Sequence, residues 1–335
     1  MGHMDSRERI RTIISGRAAD RCGFWLGNPH ADSWPLYYEY FGTTDQETIR
    51  RRLGDDFRWI PAGTYHHPTR KNPFEIPGKV AHGTAGPLAH CQEVAELDDY
   101  DWPSVDDLDF TETLEALRQA GPYYRASGMW APFYHNVMDL FGMETYMMNM
   151  YLNPPLVEAV TDRVCAFYYE ANERFFALAK DEMDGYFFGN DFGTQIDLIC
   201  SPKHFDRFVM PWFRQFTEQA HRHGYQVILH SCGSIYKVID RLIEAGVECL
   251  HPLQALAANM DAETLARSFK GRIAFLGGID TQDLLIHATP EEVKAEVRRV
   301  KRLLGPCLIV SPSHEAILPN VPPANVEAMA QAATE

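Results

Sequence analysis

The sequence predicts an α/β protein built as a single (β/α)8 TIM barrel. Three observations point there. From residue 184 onward, short apolar runs alternate with helix-like segments, the signature of parallel βαβ units. The runs are nearly all apolar, as strands covered on both faces are. Glycine, histidine, cysteine and acidic residues gather just after the runs, where a barrel carries its functional groups.

The elements follow in order. A helix is expected over 7–15 and a first strand over 22–26. A helix over 46–53 and a strand over 57–60 come next. Residues 61–103 are rich in Pro, Gly and His and carry no clear period, so they read as a long excursion over one end of the barrel, with a β-hairpin as a candidate within it. A helix is expected over 108–120, a third strand over 124–130 and mostly helix over 136–178. Strands then recur at 185–189, 226–229, 248–250, 272–276 and 307–310. Ser201-Pro202 opens a long helix with Ser as cap, and Pro211 should kink it. Thr289-Pro-Glu-Glu292 is a capping box. Met143, Met147, Met148 and Met150 in a helical stretch read as core. The alternative, a doubly wound open sheet, loses support because no Gly-x-Gly-x-x-Gly or Walker pattern appears.

With 335 residues, 45% of them apolar and 23% charged, the composition is that of an ordinary globular chain. Residues 1–4 read as a cloning remnant, and 5–335 as one domain with an N-terminal helical extension. The net charge of −15 argues against nucleic-acid and anionic-membrane partners. No apolar run approaches a membrane span, and no signal peptide opens the chain. The seven cysteines are odd in number and widely spaced, with no Cys-x-x-Cys, which fits a reducing cytoplasm better than a disulfide framework.

Candidate functional residues follow from the strand ends. In His230-Ser-Cys232 the two ligand-type side chains are two residues apart, so on an extended segment they face the same side. An imidazole and a thiolate suit a borderline cation such as zinc. A third ligand must come from another strand end. His314 is the first choice, with Glu315, Asp191 and Cys307 behind it, and Cys307 should lie at the wrong end of its strand. Cys232 as a nucleophile, with His230 or His314 as its base, is a further reading. Asp191 is also a candidate catalytic group. Gln195, Gln254 and Asp280 are candidates for orienting substrate, and Trp25 and Tyr134 for walling the pocket. His66, His67 and His135 read as solvated or core residues.

Four segments carry a family resemblance: Gly189-Asn-Asp-Phe-Gly-Thr-Gln195, His221-Arg-His-Gly-Tyr-Gln-Val-Ile-Leu-His-Ser-Cys-Gly233, Phe275-Leu-Gly-Gly-Ile-Asp-Thr-Gln282 and Ser311-Pro-Ser-His-Glu-Ala-Ile-Leu-Pro-Asn-Val-Pro-Pro323. Together with Tyr100-Asp-Trp-Pro103 they resemble the uroporphyrinogen decarboxylase superfamily. The resemblance implies a (β/α)8 barrel and one of two chemistries. One is cofactor-free decarboxylation of uroporphyrinogen. The other is zinc-dependent methyl transfer between a corrinoid protein and a thiol or methoxylated small molecule. The decarboxylase grips its acidic substrate with paired N-terminal arginines, and Arg21-Cys-Gly-Phe-Trp-Leu-Gly-Asn-Pro-His30 lacks that pair. Methyl transfer is therefore the expected activity. One zinc ion would sit on His230, Cys232 and His314, the last standing where the methyltransferase branch has a later cysteine. A corrinoid protein, a small-molecule substrate and a second copy of the chain are the expected partners. Decarboxylation, with Asp55, Asp56 or Asp191 stabilising charge, is the runner-up, followed by a binding protein that kept only the barrel.

Overall fold

In the computed structural model, which describes residues 3–76, 78–79 and 84–335, eight short strands form one all-parallel sheet. They are β1 (Gly23–Phe24), β2 (Phe57–Trp59), β3 (Tyr124–Ser127), β4 (Gly185–Gly189), β5 (Gln226–His230), β6 (Cys249–His251), β7 (Ala274–Ile279) and β8 (Leu308–Pro312). The order is β1-β8-β7-β6-β5-β4-β3-β2, so the first strand pairs with the last. Across the remaining seam the Asp56 N–H donates to the Phe24 carbonyl at 2.9 Å. The sheet thus curls into the expected barrel. Each strand read from the sequence is present, shifted or trimmed by at most a few residues.

The two-residue period explains how the barrel fills. Trp25, Phe57, Tyr124, Phe187, Ile228 and Leu276 belong to one buried cluster, the barrel interior. Their strand neighbours Phe24, Phe188, Val227, Leu229 and Phe275 belong to the larger cluster between sheet and helices. The N-terminal helix Ser6–Ile14 adds Ile10, Ile13 and Ile14 to the interior cluster and stoppers the amino-terminal end. Asp5 caps it by accepting from the Glu8 N–H at 2.7 Å.

Buried carboxylates tie this stopper to the strand starts. Asp184, just before β4, accepts from Arg7 and Arg11 at 2.7 Å each and from the Arg125 N–H at 3.0 Å. Asp56 accepts from Arg9 at 2.7 Å and Arg21 at 2.8 Å, and Asp55 from Arg50 at 2.6 Å. Asp55 and Asp56, expected as carboxylates for decarboxylation, therefore lie at the start of β2, away from the mouth, each already neutralised by arginine. Asp184→Ala would leave these cations facing a hole. Two of them are partly exposed, so the expected cost is at the low end for a broken buried pair, about 3 kcal/mol. Urea unfolding measures it.

One segment differs from expectation. Leu108–Asp109 is not helical but pairs antiparallel with Thr64–Tyr65, and the helix starts at Thr111 because the Asp109 side chain accepts from the Thr111 N–H at 2.8 Å. Thr64–Tyr65 of this ribbon and the 3-10 turn Val94–Asp99 lie in the 61–103 excursion, of which 77 and 80–83 lie outside the described residues, while the partner strand Leu108–Asp109 lies beyond it. Around Pro211 the helix runs on through an irregular turn. One π turn, Phe205–Val209, precedes Met210–Arg222 and absorbs the missing N–H. Of the methionines, Met150 is buried, whereas Met143 and Met148 are exposed. Of the expected remnant, residues 1 and 2 lie outside the described residues.

Candidate metal centre

β5 ends at His230 and β6 at His251, and the two are register partners. Two residues earlier, Ile228 and Cys249 are also partners and both belong to the interior cluster. The strand period therefore places both imidazoles one layer higher, at the carboxyl-terminal mouth. Their Nδ1 atoms are 3.0 Å apart. On the neighbouring strand the register partner of His230 is Gly189. A Cβ there would run into the indole of Trp130, whose ring centroid is 5.1 Å from that of His230. The absent side chain makes room for the indole.

The other nitrogen of His230 faces a thiol and a carboxylate. Nε2 is 3.5 Å from Cys232 Sγ and 3.3 Å from Asp191 Oδ1. Asp191 follows β4, and its Oδ1 accepts from the Cys232 N–H at 2.7 Å, holding the turn after β5. Gln254 holds the next residue, accepting from the Gly233 N–H at 2.7 Å. Glu315, beyond β8, brings Oε2 to 3.5 Å from His230 Nδ1. Its backbone is anchored by the Asn28 N–H, which donates to the Glu315 carbonyl at 2.8 Å.

The electrostatics follow from this packing. Burial opposes a charge on His230, but Asp191, Cys232 and Glu315 outweigh it and hold the imidazole protonated well above its ordinary range. Burial likewise opposes the Asp191 charge, and the same histidine overrides it, drawing the carboxyl down to about 2. The Cys232 thiol is pushed up by burial, only partly offset by His230. Burial and then the cationic His230 keep His251 neutral, with His314 adding to the effect. The metal-free site is thus an imidazolium among acidic groups, with a neutral histidine accepting on its far side.

Two overlapping groups meet the spacing of a metal site: Asp191, His230 and Cys232, and His230, His251 and Glu315, with ligand atoms within 4.8 Å of one another in each. The donor chemistry fits. The first set offers nitrogen, sulfur and oxygen, as zinc prefers. Glu315 Oε2 is buried with no hydrogen-bond partner among the described residues, and an unpaired buried polar atom is one mark of an ion's place.

The residues expected from the sequence scatter around this centre. His230, Cys232 and Asp191 meet. His314 belongs to neither group. It is half exposed, and its Nδ1 accepts from the Ala316 N–H at 3.1 Å. The strand has ended at Pro312, and the turn that follows brings Glu315 to His230 while His314 stays at the surface. With Gln254, Thr281 and Ser313, His314 lines a cavity of about 300 Å³. Gln195 is exposed on the exit loop of β4. Asp280 spends its carboxylate on the N–H groups of Gln282, Asp283 and Leu284, so it shapes a turn rather than facing a ligand. Tyr134, expected on the pocket wall, is buried among Tyr146 and Phe192. Trp25 is wholly buried inside the barrel, its ring centroid 5.2 Å from that of His251. Cys307 lies just before β8, at the far end as expected. The His135 ring contacts the Asp191 carbonyl at 2.9 Å. His251, which belongs to the second group, was not among the expected candidates, although its place at the end of a strand next to that of His230 was a usable signal.

The fold and the mouth define a parallel α/β barrel with a metal-competent histidine–cysteine centre. The sequence profile of the uroporphyrinogen decarboxylase (URO-D) family matches residues 93–335, and the chain belongs to that family. Among solved structures 17 chains match. One is a methyltransferase from Methanosarcina mazei, with a TM-score of 0.68 and 17% identity over 98% of each chain. At that identity the likeness shows the shared fold. No curated protein matches the sequence. Among the described residues no helix is long and apolar enough to cross a membrane.

Proposed function

We propose that the protein is a zinc-dependent methyltransferase that moves a methyl group between a corrinoid protein and a thiol or methoxylated small molecule. The observation that carries this reading is the convergence of His230 Nε2, Cys232 Sγ and an Asp191 oxygen at the barrel mouth. His230 and Cys232 hold the ion, and Asp191 takes the third place that the sequence suggested for His314. A zinc ion there supplies Lewis acidity, which keeps a thiol ionised at neutral pH or polarises an ether oxygen.

The chain's own residues do the rest. Asp191 fixes the Cys232 backbone, and His251 accepts the Nδ1 proton of His230, so that Nε2 is free to bind. The cavity bounded by Gln254 and His314 starts one residue from Cys232, through the Gln254–Gly233 hydrogen bond, and supplies room for the small substrate. Ile196, Leu256 and Leu318, exposed on the exit loops of β4, β6 and β8, give the mouth an apolar rim on which a corrinoid domain can seat. The −15 charge and the carboxylates at the mouth suit a substrate with eight carboxylates poorly, which disfavours decarboxylation of uroporphyrinogen.

The test is metal analysis of protein purified without a metal column, with methylcobalamin and a panel of thiols as reactants. The expected result is about one zinc per chain and transfer of the methyl from cobalt to sulfur, leaving cob(I)alamin and a thioether. Protein that takes up no zinc and shows no thiol-dependent loss of methylcobalamin would overturn the reading. Zinc affinity should also rise with pH. Both His230 and Cys232 hold their protons more tightly than usual or are pushed toward the neutral thiol. Each must release a proton to bind, so affinity is lost as pH falls through their raised values. Calorimetry in buffers of different ionisation enthalpy counts those protons, and about two per zinc are expected.

A further inference from the structure

The Nδ1 side of His230 carries a second donor set that the proposed zinc position leaves unused. His230 Nδ1 lies 3.0 Å from His251 Nδ1 and 3.5 Å from Glu315 Oε2. One donor atom from each of the three residues lies within 4.8 Å of the others. Both histidines are buried, and Glu315 Oε2 is buried without a hydrogen bond. The set is also held in place before any ion arrives. Strand register fixes the two imidazoles side by side. Trp25 and Phe187 wall His251, each with its ring centroid 5.2 Å away. The Asn28 N–H anchors the Glu315 backbone.

The two sides differ in chemistry. The Nε2 side offers sulfur and suits zinc. The Nδ1 side offers two imidazoles and one carboxylate, the donor set of non-haem iron(II) sites, and it suits iron(II), cobalt(II) or manganese(II). The two nitrogens of one imidazole point apart, so one ion cannot take both. Two ions at once would require His230 to lose both of its protons.

We propose that the barrel mouth contains a second cation position, formed by His230 Nδ1, His251 Nδ1 and Glu315, which takes a divalent ion of the iron(II) or manganese(II) class in place of an ion on the Cys232 side. The metal held by the protein then depends on which face of His230 is used. This position does not need Cys232, so its fate is separable from that of the zinc reading.

Cobalt(II) serves as the probe, because a thiolate ligand gives it a sulfur-to-metal charge-transfer band and an all-nitrogen/oxygen set does not. Cys232→Ser should still bind one cobalt(II), without that band. Adding His251→Gln or Glu315→Gln in the same chain should weaken binding by at least about tenfold. With Cys232 present, His251→Gln should keep the band, which shows that the variant folds and that the Nε2 side is intact. Manganese(II) bound to the wild-type chain, followed by electron paramagnetic resonance, should be released by one equivalent of zinc. The proposal is overturned if Cys232→Ser binds no cobalt, if its cobalt affinity is indifferent to both His251→Gln and Glu315→Gln, or if manganese stays bound beside stoichiometric zinc. A wild-type cobalt protein without the thiolate band would instead sink the zinc reading and leave this one standing.

Discussion

Cys232→Ser is expected to lower zinc affinity by more than about 100-fold and to abolish thiol methylation. Losing a residue that only supports a ligand costs about 10- to 100-fold in affinity, and Cys232 is argued to be a ligand itself. A serine hydroxyl is nearly isosteric but does not ionise at neutral pH, so the ion would lose its one sulfur donor. Weak residual binding belongs to the His251 side. The fold should hardly notice, because the Cys232 backbone N–H still has Asp191 to donate to and, among the described residues, the thiol's one hydrogen-bond contact is the long one to His230. Asp191→Ala is the instructive companion. It removes both the third oxygen and the acceptor that holds the Cys232 turn, so zinc affinity should fall while the cobalt charge-transfer band persists at high metal. Competition against a chromophoric chelator reads both affinities. Wild-type zinc affinity and turnover in Cys232→Ser would mean that sulfur has no part in the chemistry.

The architecture was legible because it rests on local signals that tertiary context reinforces. The eight short runs read as strands become eight strands, and the cap at Thr289 forms as read, with its side chain accepting from the Glu292 N–H. Two of the three members of the first metal cluster were legible for the same reason, since His230 and Cys232 sit on one extended segment. The carboxylate of the second group was harder. His314 and Glu315 are neighbours, and which of them turns inward is decided by how the chain leaves β8 and pairs with the exit loop of β1, through Asn28 and His30 donating to Glu315 and Ile317. That pairing spans almost the whole chain and leaves no local trace. Asp280 was expected to orient substrate, and it misled for the opposite reason. A carboxylate after a strand is equally suited to capping the next turn, and here it caps. His251 shows a third kind of gap, because strand register across the barrel, not spacing along the chain, sets it against His230.

Gly189→Ala should disrupt the mouth, and the reason lies in one indole. The added Cβ would meet three ring atoms of Trp130, two of them at 2.5 and 2.6 Å, so the ring must move. It cannot move toward His230 or Trp59, whose ring centroids already stand 5.1 and 4.9 Å away. The open direction is the cavity of about 660 Å³ that Trp130 lines with Phe74, Met129 and Tyr168. Overpacking of this kind costs about 1–3 kcal/mol. Here it also takes away the ring packed on His230, so zinc affinity should fall alongside stability, and the indole emission should shift as the ring enters the cavity. The assignment to Trp130 is decided by a double-mutant cycle. If the collision is the cause, Gly189→Ala should cost little once Trp130→Leu has removed the ring, giving a coupling energy of more than about 1 kcal/mol. An unchanged cost in the Trp130→Leu background would mean that the backbone of β4, not the indole, demands glycine there.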